Sequence, residues 1–314
     1  MRILCVGQLV TDIIAVPIEY DKLGTDTELV DRILVQNGGD CMNVAINLAK
    51  LGGGENVSFC GKIGADSFGS YLTDVFKKFN IDTRGLKVTD KAATSSCIAL
   101  VNGSGQRVFL YSGGTNNLLT ADDADDKLIE ECSHLHIGGT YLLPGLDGKG
   151  SAELFRKAKS MGRTTSMDVT WDTSGRWLEI IEPCLPYLDL FMPSENEAVK
   201  ITGKTKPEEM AAFLRDKGVK TAIIKLGENG SYIDSGEEKF YQPAFSANVV
   251  DTTGAGDSYV AGFLLKYTKG AVLKDCAKFA SGVAAHCIGT IGATSGVPDF
   301  ETVEKFINNY NGGN

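Results

Sequence analysis

The segment Asp251-Thr252-Thr253-Gly254-Ala255-Gly256-Asp257 carries the residue types and spacing best suited to chemistry in this chain. Behind it, Val260, Phe263, Leu264 and Tyr267 recur at i, i+3, i+4 and i+7, one face of a helix. A glycine turn therefore opens an amphipathic helix, whose first N–H groups lack internal partners and point outward. Those amides and the helix dipole attract an anion, and Gly254 and Gly256 let a phosphate approach the backbone without Cβ obstruction. Asp257 sits in the first turn beside that anion. A carboxylate there can take a proton from an attacking hydroxyl while the amides absorb charge on the transferred phosphoryl group. Helix capping explains one such aspartate or threonine, but not two glycines and two aspartates in one short run.

Gly38-Gly39-Asp40-Cys41-Met42-Asn43 is a second glycine turn into a helix. Asn43 offers two donors and an acceptor to a sugar hydroxyl, and Asp40 offers an acceptor; an ordinary loop capped by Asp40 reads equally well. Asp12 follows the first predicted strand. Ligands of open α/β sheets bind beyond the carboxyl ends of strands, where an acceptor can grip two neighbouring hydroxyls, although an aspartate after a strand is also a common turn residue. Ala198 to Thr205 imitates a P-loop but has Ala198 where the first glycine belongs, and it follows a helix rather than a strand. Gly52-Gly53-Gly54 is not a dinucleotide fingerprint, and no G-x-S-x-G elbow occurs. An oxidoreductase that uses a nicotinamide cofactor is therefore disfavoured.

The elements that must position these residues are legible in the pattern. Residues 2–7 read as a buried strand, and a helix follows Gly38-Gly39 as far as Gly52. Residues 57–60 read as a strand, and Asp66 caps a helix running to about Phe79. Further on, helices near 122–131, 150–161, 207–216, 255–268 and 272–288 alternate with strands near 133–137, 164–169, 187–192 and 221–226. Such alternation gives a mostly parallel sheet covered on both faces. Residues 13–36 and 95–111 fit a small separate sheet, the latter as a hairpin through Asn102-Gly103-Ser104-Gly105.

The net charge of −9 and the absence of a lysine/arginine cluster exclude a nucleic-acid partner. Residues 1–18 lack the pattern of a signal peptide, and no stretch is apolar enough to span a bilayer. A cytoplasmic location without membrane partners is expected. The eight cysteines include no C-x-x-C pair and read as buried free thiols. His134 and His136 share a strand face and read as structural.

Taken in order, these segments resemble the ribokinase (PfkB-type) carbohydrate kinase family over about residues 2–300. Gly38-Gly39 with Asn43-Val44-Ala45 and Leu48 to Gly52 is similar to its N-terminal signature, and Asp251 to Asp257 to its C-terminal signature. Lys225-Leu226-Gly227-Glu228-Asn229-Gly230 resembles its nucleotide-side glycine loop, and the segment from Gly7 to Asp12 its sugar-binding aspartate motif. The resemblance implies an α/β three-layer sandwich with a mostly parallel central sheet. Residues 1–12, 37–93 and 113–314 would form the main domain, and residues 13–36 and 94–112 a small β lid that can carry a homodimer contact. It implies Asp257 as base, with the amides of Gly254, Ala255 and Gly256 as anion hole. Asp12, Gly39, Asp40 and Asn43 would bind the acceptor, and Lys225, Gly227, Gly230 and Thr253 would lie near ATP. Glu197 would reach Mg2+ through water, and Asp251 and Thr253, with backbone from 292–296, would hold K+. Where the family has Asn-x-x-Glu, this chain has Ser194-Glu195-Asn196-Glu197. Asp40 beside the acceptor disfavours an anionic substrate, although Arg107 or Arg176 could reach in. The implied activity is ATP-dependent phosphorylation of a neutral pentose or hexose. A nucleoside or a sugar acid is the alternative acceptor, and a non-catalytic sugar- or nucleotide-binding regulator the alternative class.

Overall fold

Ile3-Leu4-Cys5-Val6-Gly7 is an unbroken apolar run, and every residue of it is buried. Strand alternation sends Ile3 and Cys5 to one face and Leu4 and Val6 to the other, and the two sets join two different hydrophobic cores. This strand thus lies at the centre of a sheet covered on both sides. The computed structural model describes residues 2–20, 23–24, 27–103 and 106–310.

In chain order the elements are β1 (Ile3–Gly7), β2 (Val10–Ile18), β3 (Arg32–Gly38), α1 (Asp40–Gly52), β4 (Val57–Gly64), α2 (Ser67–Lys78), β5 (Asp82–Thr89), β6 (Ser96–Asn102) and β7 (Arg107–Ser112). Then follow α3 (Asp126–Glu131), β8 (His134–Thr140), α4 (Lys149–Ser160), β9 (Thr164–Val169), α5 (Leu178–Ile181), β10 (Leu190–Phe191), α6 (Glu195–Thr202), α7 (Pro207–Asp216) and β11 (Thr221–Lys225). The chain ends with β12 (Ser231–Asp234), β13 (Lys239–Gln242), α8 (Ala255–Thr268), α9 (Leu273–Cys287) and α10 (Phe300–Asn309). Nine strands form one sheet in the order β13-β12-β11-β10-β9-β8-β1-β4-β5, parallel from β11 through to β5 and antiparallel at the β11-β12-β13 edge. One core packs α1, α8 and α9 against this sheet, with Met42, Ile46, Phe263 and Phe279 inside. The other packs α4 and α7, with Phe155 and Leu214. Among the described residues no helix is long and apolar enough to cross a membrane.

A second sheet of four strands, β3-β2-β6-β7, stands apart. Its registers put Ile14 opposite Leu34 and Ala99, and Ala99 opposite Phe109. These side chains form its inner face. The outer face carries Ile33, Val35, Ile98, Val108 and Leu110, and Ile33 is 66% exposed.

Several boundaries differ from the sequence pattern. The helix expected over 122–131 is a tight turn at Ala121–Asp123 followed by α3, because the Asp125 side chain accepts the Lys127 N–H and restarts the helix there. The strand expected over 187–192 shrinks to Leu190–Phe191, since Leu185–Tyr187 is a 3-10 turn with proline in it. The edge strands β5 and β13, and the short β12 next to β13, have too many polar residues to be read as strands from sequence alone. Asp66 caps α2 as expected, with its Oδ1 accepting from Gly69 N at 2.8 Å. All eight cysteines are free and buried. His134 and His136 share the Ser166 hydroxyl, at 2.7 and 2.9 Å. The P-loop imitation ends α6, where Gly203 is its left-handed cap.

Leu135 is fully buried in the second core. Leu135→Ala is expected to cost about 2–5 kcal/mol, read in urea as a lower midpoint with an unchanged slope.

Candidate active site

The loops that follow β1, β9 and β11 and the turn before α8 converge at the carboxyl ends of the parallel strands. Gly254 has φ +74°, and a Cβ there would stand 2.4 Å from the Ala293 carbonyl oxygen. Only glycine allows that turn to seat so closely against residues 292–293. The turn leads into α8 without any side-chain cap, so the amides of Gly256 and Asp257 keep no intrahelical partner. The Ala255 N–H, expected among the outward donors, is bonded to the Thr252 carbonyl at 3.2 Å.

Asp257 lies in a cavity of about 330 Å³, lined also by Asp40, Asp168, Glu197, Lys225, Gly227 and Gly254. Lys225 Nζ donates to both oxygens of Asp168, at 2.9 and 2.7 Å. A Cβ on Gly256 would lie 3.3 Å from that same Nζ, so the ammonium stands directly at the helix start. Burial would lower the pKa of Lys225, but the Asp168 and Glu197 carboxylates outweigh it and hold the ammonium above its ordinary range. Burial pushes Asp257 up from 3.8 to about 7; the Asn43 amide pulls it down, while Asp168 and Glu197 add to the rise. Asp40 is raised well above its ordinary value, by burial first and then by Asp257. Asp168 and Glu197 are raised as well, both chiefly by burial. Four carboxyl groups thus face one ammonium, an acidic excess that suits a divalent cation and its bound phosphates.

Glu197 Oε2 accepts from Ser194 N at 2.7 Å. Ser194, which departs from the resembled family's asparagine, thereby forms a capping box with Glu197 at the start of α6. Among the described residues no three acidic, histidine or cysteine side chains converge as a metal cage. Mg2+ does not need one, since it is held by one or two carboxylates, water and substrate phosphates.

A neighbouring cavity of about 400 Å³ lies between the inner face of the small sheet and residues 250–253 and 291–293. Its walls are mainly apolar, from Ile14, Val16, Leu34, Val101 and Phe109. Asp12 enters it from β2, with its carboxyl raised to about 7 by burial. The two cavities communicate through an amide relay. Asn37, on the wall of the larger one, donates to Asn43 Oδ1 at 3.2 Å, and Asn43 Nδ2 donates to Asp257 Oδ2 at 2.9 Å. Gly39 precedes α1 and abuts the Gln8 backbone, while the Gln8 side chain accepts from Asp40 N at 3.2 Å.

On the rim, Asp251 Oδ1 accepts from Thr253 N at 2.8 Å and Oδ2 from Gly292 N at 2.9 Å. Arg107, from β7, bonds the Thr253 hydroxyl and donates to Asp251 Oδ1 at 2.5 Å. Burial would raise Asp251, but the Gly292 and Thr253 amides and Arg107 hold it below its ordinary value.

A family model described as pfkB family carbohydrate kinase matches residues 1–299. The chain belongs to that family. This kinase is 27% identical over 308 residues to the ATP-dependent 6-phosphofructokinase of Thermoanaerobacterium thermosaccharolyticum, covering 96% of this chain and 92% of that protein. It is 28% identical over 285 residues to Fructokinase-2 of Oryza sativa subsp. japonica, covering 86% and 84%. The crystal structure of ribokinase from Thermotoga maritima matches it with a TM-score of 0.85 at 26% identity, over 98% of this chain and 99% of that one. The three-layer sandwich with its small β-sheet is therefore the ribokinase fold, and the protein is a carbohydrate kinase that uses ATP.

The sequence-derived site residues are not all gathered in one place. Asp40, Glu197, Lys225, Gly227, Gly254, Gly256 and Asp257 share the smaller cavity, and Asp12, Asp251 and Thr253 line the larger. Gly230 lines neither; it is packed against the backbone of Gln242. Arg176 lines a different cavity and pairs with Glu179 at 2.6 Å. Asp168 escaped the sequence reading, although the rule applied to Asp12 finds it at the carboxyl end of β9.

The raised carboxyl of Asp257 carries a sign. Between about 3.8 and about 7 the folded protein keeps a proton that the unfolded chain has released, so rising pH across that window costs stability. Asp257→Asn is therefore expected to be more stable than the wild type at pH 8, with the gap shrinking toward pH 4, by thermal midpoints over that range.

Proposed function

We propose that this kinase transfers the γ-phosphoryl group of ATP in line to a hydroxyl of a small neutral sugar, a pentose or hexose, with Asp257 as the base. The observation that carries the reading is the position of the Asp257 carboxyl, at an uncapped helix start beside Lys225 and tied through Asn43 and Asn37 to the neighbouring cavity. The triphosphate would occupy the smaller cavity, near Lys225, Gly227 and Gly230, with the amides of Gly254 and Gly256 toward the moving phosphoryl group. Ala255 would join them once its N–H leaves the Thr252 carbonyl. Thr253 would flank the same turn. Asp257 Oδ2 is held by Asn43, which leaves Oδ1 to receive the hydroxyl proton. Lys225 offsets negative charge gathering at the helix start.

Mg2+, when bound, would supply charge neutralisation on the phosphates, and Glu197 and Asp168 are the carboxylates to hold it, through water. Asp12, Gly39, Asp40 and Asn43 would grip the acceptor. Two carboxylates there favour a neutral polyol, and Arg107 is already engaged by Asp251. Two observations support other acceptors: the apolar inner wall of the lid would suit the base of a nucleoside, and Arg32 lines that cavity with no carboxylate partner among the described residues, which would suit a sugar acid or sugar phosphate.

The small sheet would act as a lid that excludes water during transfer. Its exposed outer face, with Ile33, Val35 and Leu110, would pair with that of a second copy as a homodimer. The eight buried free thiols fit a reducing, cytoplasmic setting.

Asp257→Ala is expected to lower kcat by about 10²–10⁴-fold while ATP still binds, measured by coupled ADP release across pentoses, hexoses, nucleosides, sugar acids and sugar phosphates together with ATP titration by calorimetry. Near-normal turnover in that variant would remove Asp257 from the role of base. Ile33→Lys with Leu110→Lys is expected to shift the protein from dimer to monomer in sedimentation velocity.

A further inference from the structure

The family resemblance implies a monovalent cation beside the anion-hole turn, held by Asp251, Thr253 and backbone of residues 292–296. The residues present do not fit it. A K+ ion needs a shell of oxygen atoms free to replace its water, and here the side-chain oxygens of Asp251 and Thr253 are already engaged. Asp251 Oδ1 takes Thr253 N at 2.8 Å and Arg107 Nη2 at 2.5 Å, and Oδ2 takes Gly292 N at 2.9 Å. The Thr253 hydroxyl is bonded by the other Arg107 nitrogen. The carbonyls of Thr294 and Ser295 accept from Lys50 Nζ at 2.7 and 3.4 Å. Those of Thr253 and Ala293 both face the Cys287 thiol, at 3.5 Å.

We propose that the Arg107 guanidinium is this kinase's own tethered cation at the anion-hole turn, taking the place of a monovalent ion and making activity independent of K+. The chemistry is suited to it. Guanidinium is planar, permanently charged and able to bond a carboxylate and a hydroxyl together. The ion pair is three-quarters buried or more on both sides, with 25% and 12% of the two side chains exposed, so solvent screens it only partly. It compensates Asp251, whose backbone N–H is bonded to the Ile288 carbonyl at 3.1 Å. It thereby fixes the turn at Gly254, which is seated against Ala293.

Its origin adds a consequence. Arg107 opens β7 of the small sheet, opposite Val101. A free ion arrives from solvent, whereas this charge arrives with the lid. Closure of the small sheet over the acceptor and charge compensation of the turn are then one event, and Arg107 is a positioning residue that acts through Asp251 and Thr253.

The activity arm of the test rests on the kinase reading; a second arm does not. Wild-type turnover, on whichever acceptor of the screen is phosphorylated, is expected to be the same in KCl and in tetramethylammonium chloride at equal ionic strength. The wild-type thermal midpoint without substrates is expected to be the same in the two salts. Arg107→Ala is expected to lose about 100-fold in kcat with a smaller change in KM for ATP. It should then regain part of it with KCl or millimolar methylguanidinium, and its midpoint should rise in KCl. Arg107→Lys, which keeps the tethered charge, is expected to stay insensitive to K+. A wild-type enzyme stimulated or stabilised by K+ overturns the proposal without any variant, as does an Arg107→Ala protein that gains nothing from either cation. If no acceptor is turned over by the wild type, the kinase reading fails while the midpoint comparison still decides the cation question.

Discussion

The site depends on one electrostatic constraint: several carboxyl groups are buried together around a single ammonium. Asp257, Asp40, Asp168 and Glu197 line one cavity with Lys225, and burial is the main reason each of these carboxyl groups holds its proton more tightly than in water. Such an arrangement is costly for the empty protein and becomes favourable when a cation and a polyanion enter together. The same burial poises Asp257 near neutrality, where a general base is most effective. The elements around it hold this tension in place: Asn43 from α1 restrains one oxygen of Asp257, and Asp168 from β9 restrains Lys225 at the end of β11.

Much of this was legible in the sequence because glycine, aspartate and helical periodicity leave local signatures. The turn Gly254 to Asp257, the start of α1 and the helices α7 and α8 fall where the residue pattern places them. What escaped was set by tertiary context. Asp168 lies in Thr-Thr-Ser-Met-Asp-Val, a strand the pattern places correctly but with no motif to single out its aspartate; only its parallel neighbours and the long reach of Lys225 make it part of the site. β13 is an antiparallel edge strand with Lys239 and Tyr241 exposed, and β12 beside it is a short buried strand with a polar residue at each end, so the hydrophobic alternation that marks longer strands is missing. The role of Ser194 was invisible for a different reason. Ser194-x-x-Glu197 fits both a capping box and a variant of the resembled family's Asn-x-x-Glu, and only the bond from Ser194 N to Glu197 separates the two.

The small sheet shows how one periodicity carries two tasks. Side chains alternate across a strand, so β2 sends Asp12, Ile14 and Val16 toward the acceptor cavity, while Ile13, opposite Val35 and Ile98, faces away. Polar and apolar residues are not distributed as for a lone surface sheet: both faces are largely apolar, the inner walling a cavity and the outer exposed. A one-residue slip in register would exchange the faces, removing Asp12 from the cavity. Gly38, opposite Val10, leaves room for the Asp12 carboxylate, which a Cβ there would meet at 2.0 Å.

The same sheet also connects specificity to chemistry. Asp12 and Arg107 stand on the same inner face and line the same cavity, the former where the acceptor is proposed to bind and the latter on Asp251 and Thr253. An acceptor that engaged Asp12 would therefore order the strands that present Arg107, since β2 and β7 are joined through β6. Water alone would engage the small sheet less than a sugar bound through several hydroxyls, so the turn before α8 would be held most firmly with an alcohol in place to receive the phosphoryl group. On the proposed reading, discrimination against hydrolysis would need no separate device; it would follow from putting the acceptor's ligand and the turn's counter-charge on one sheet.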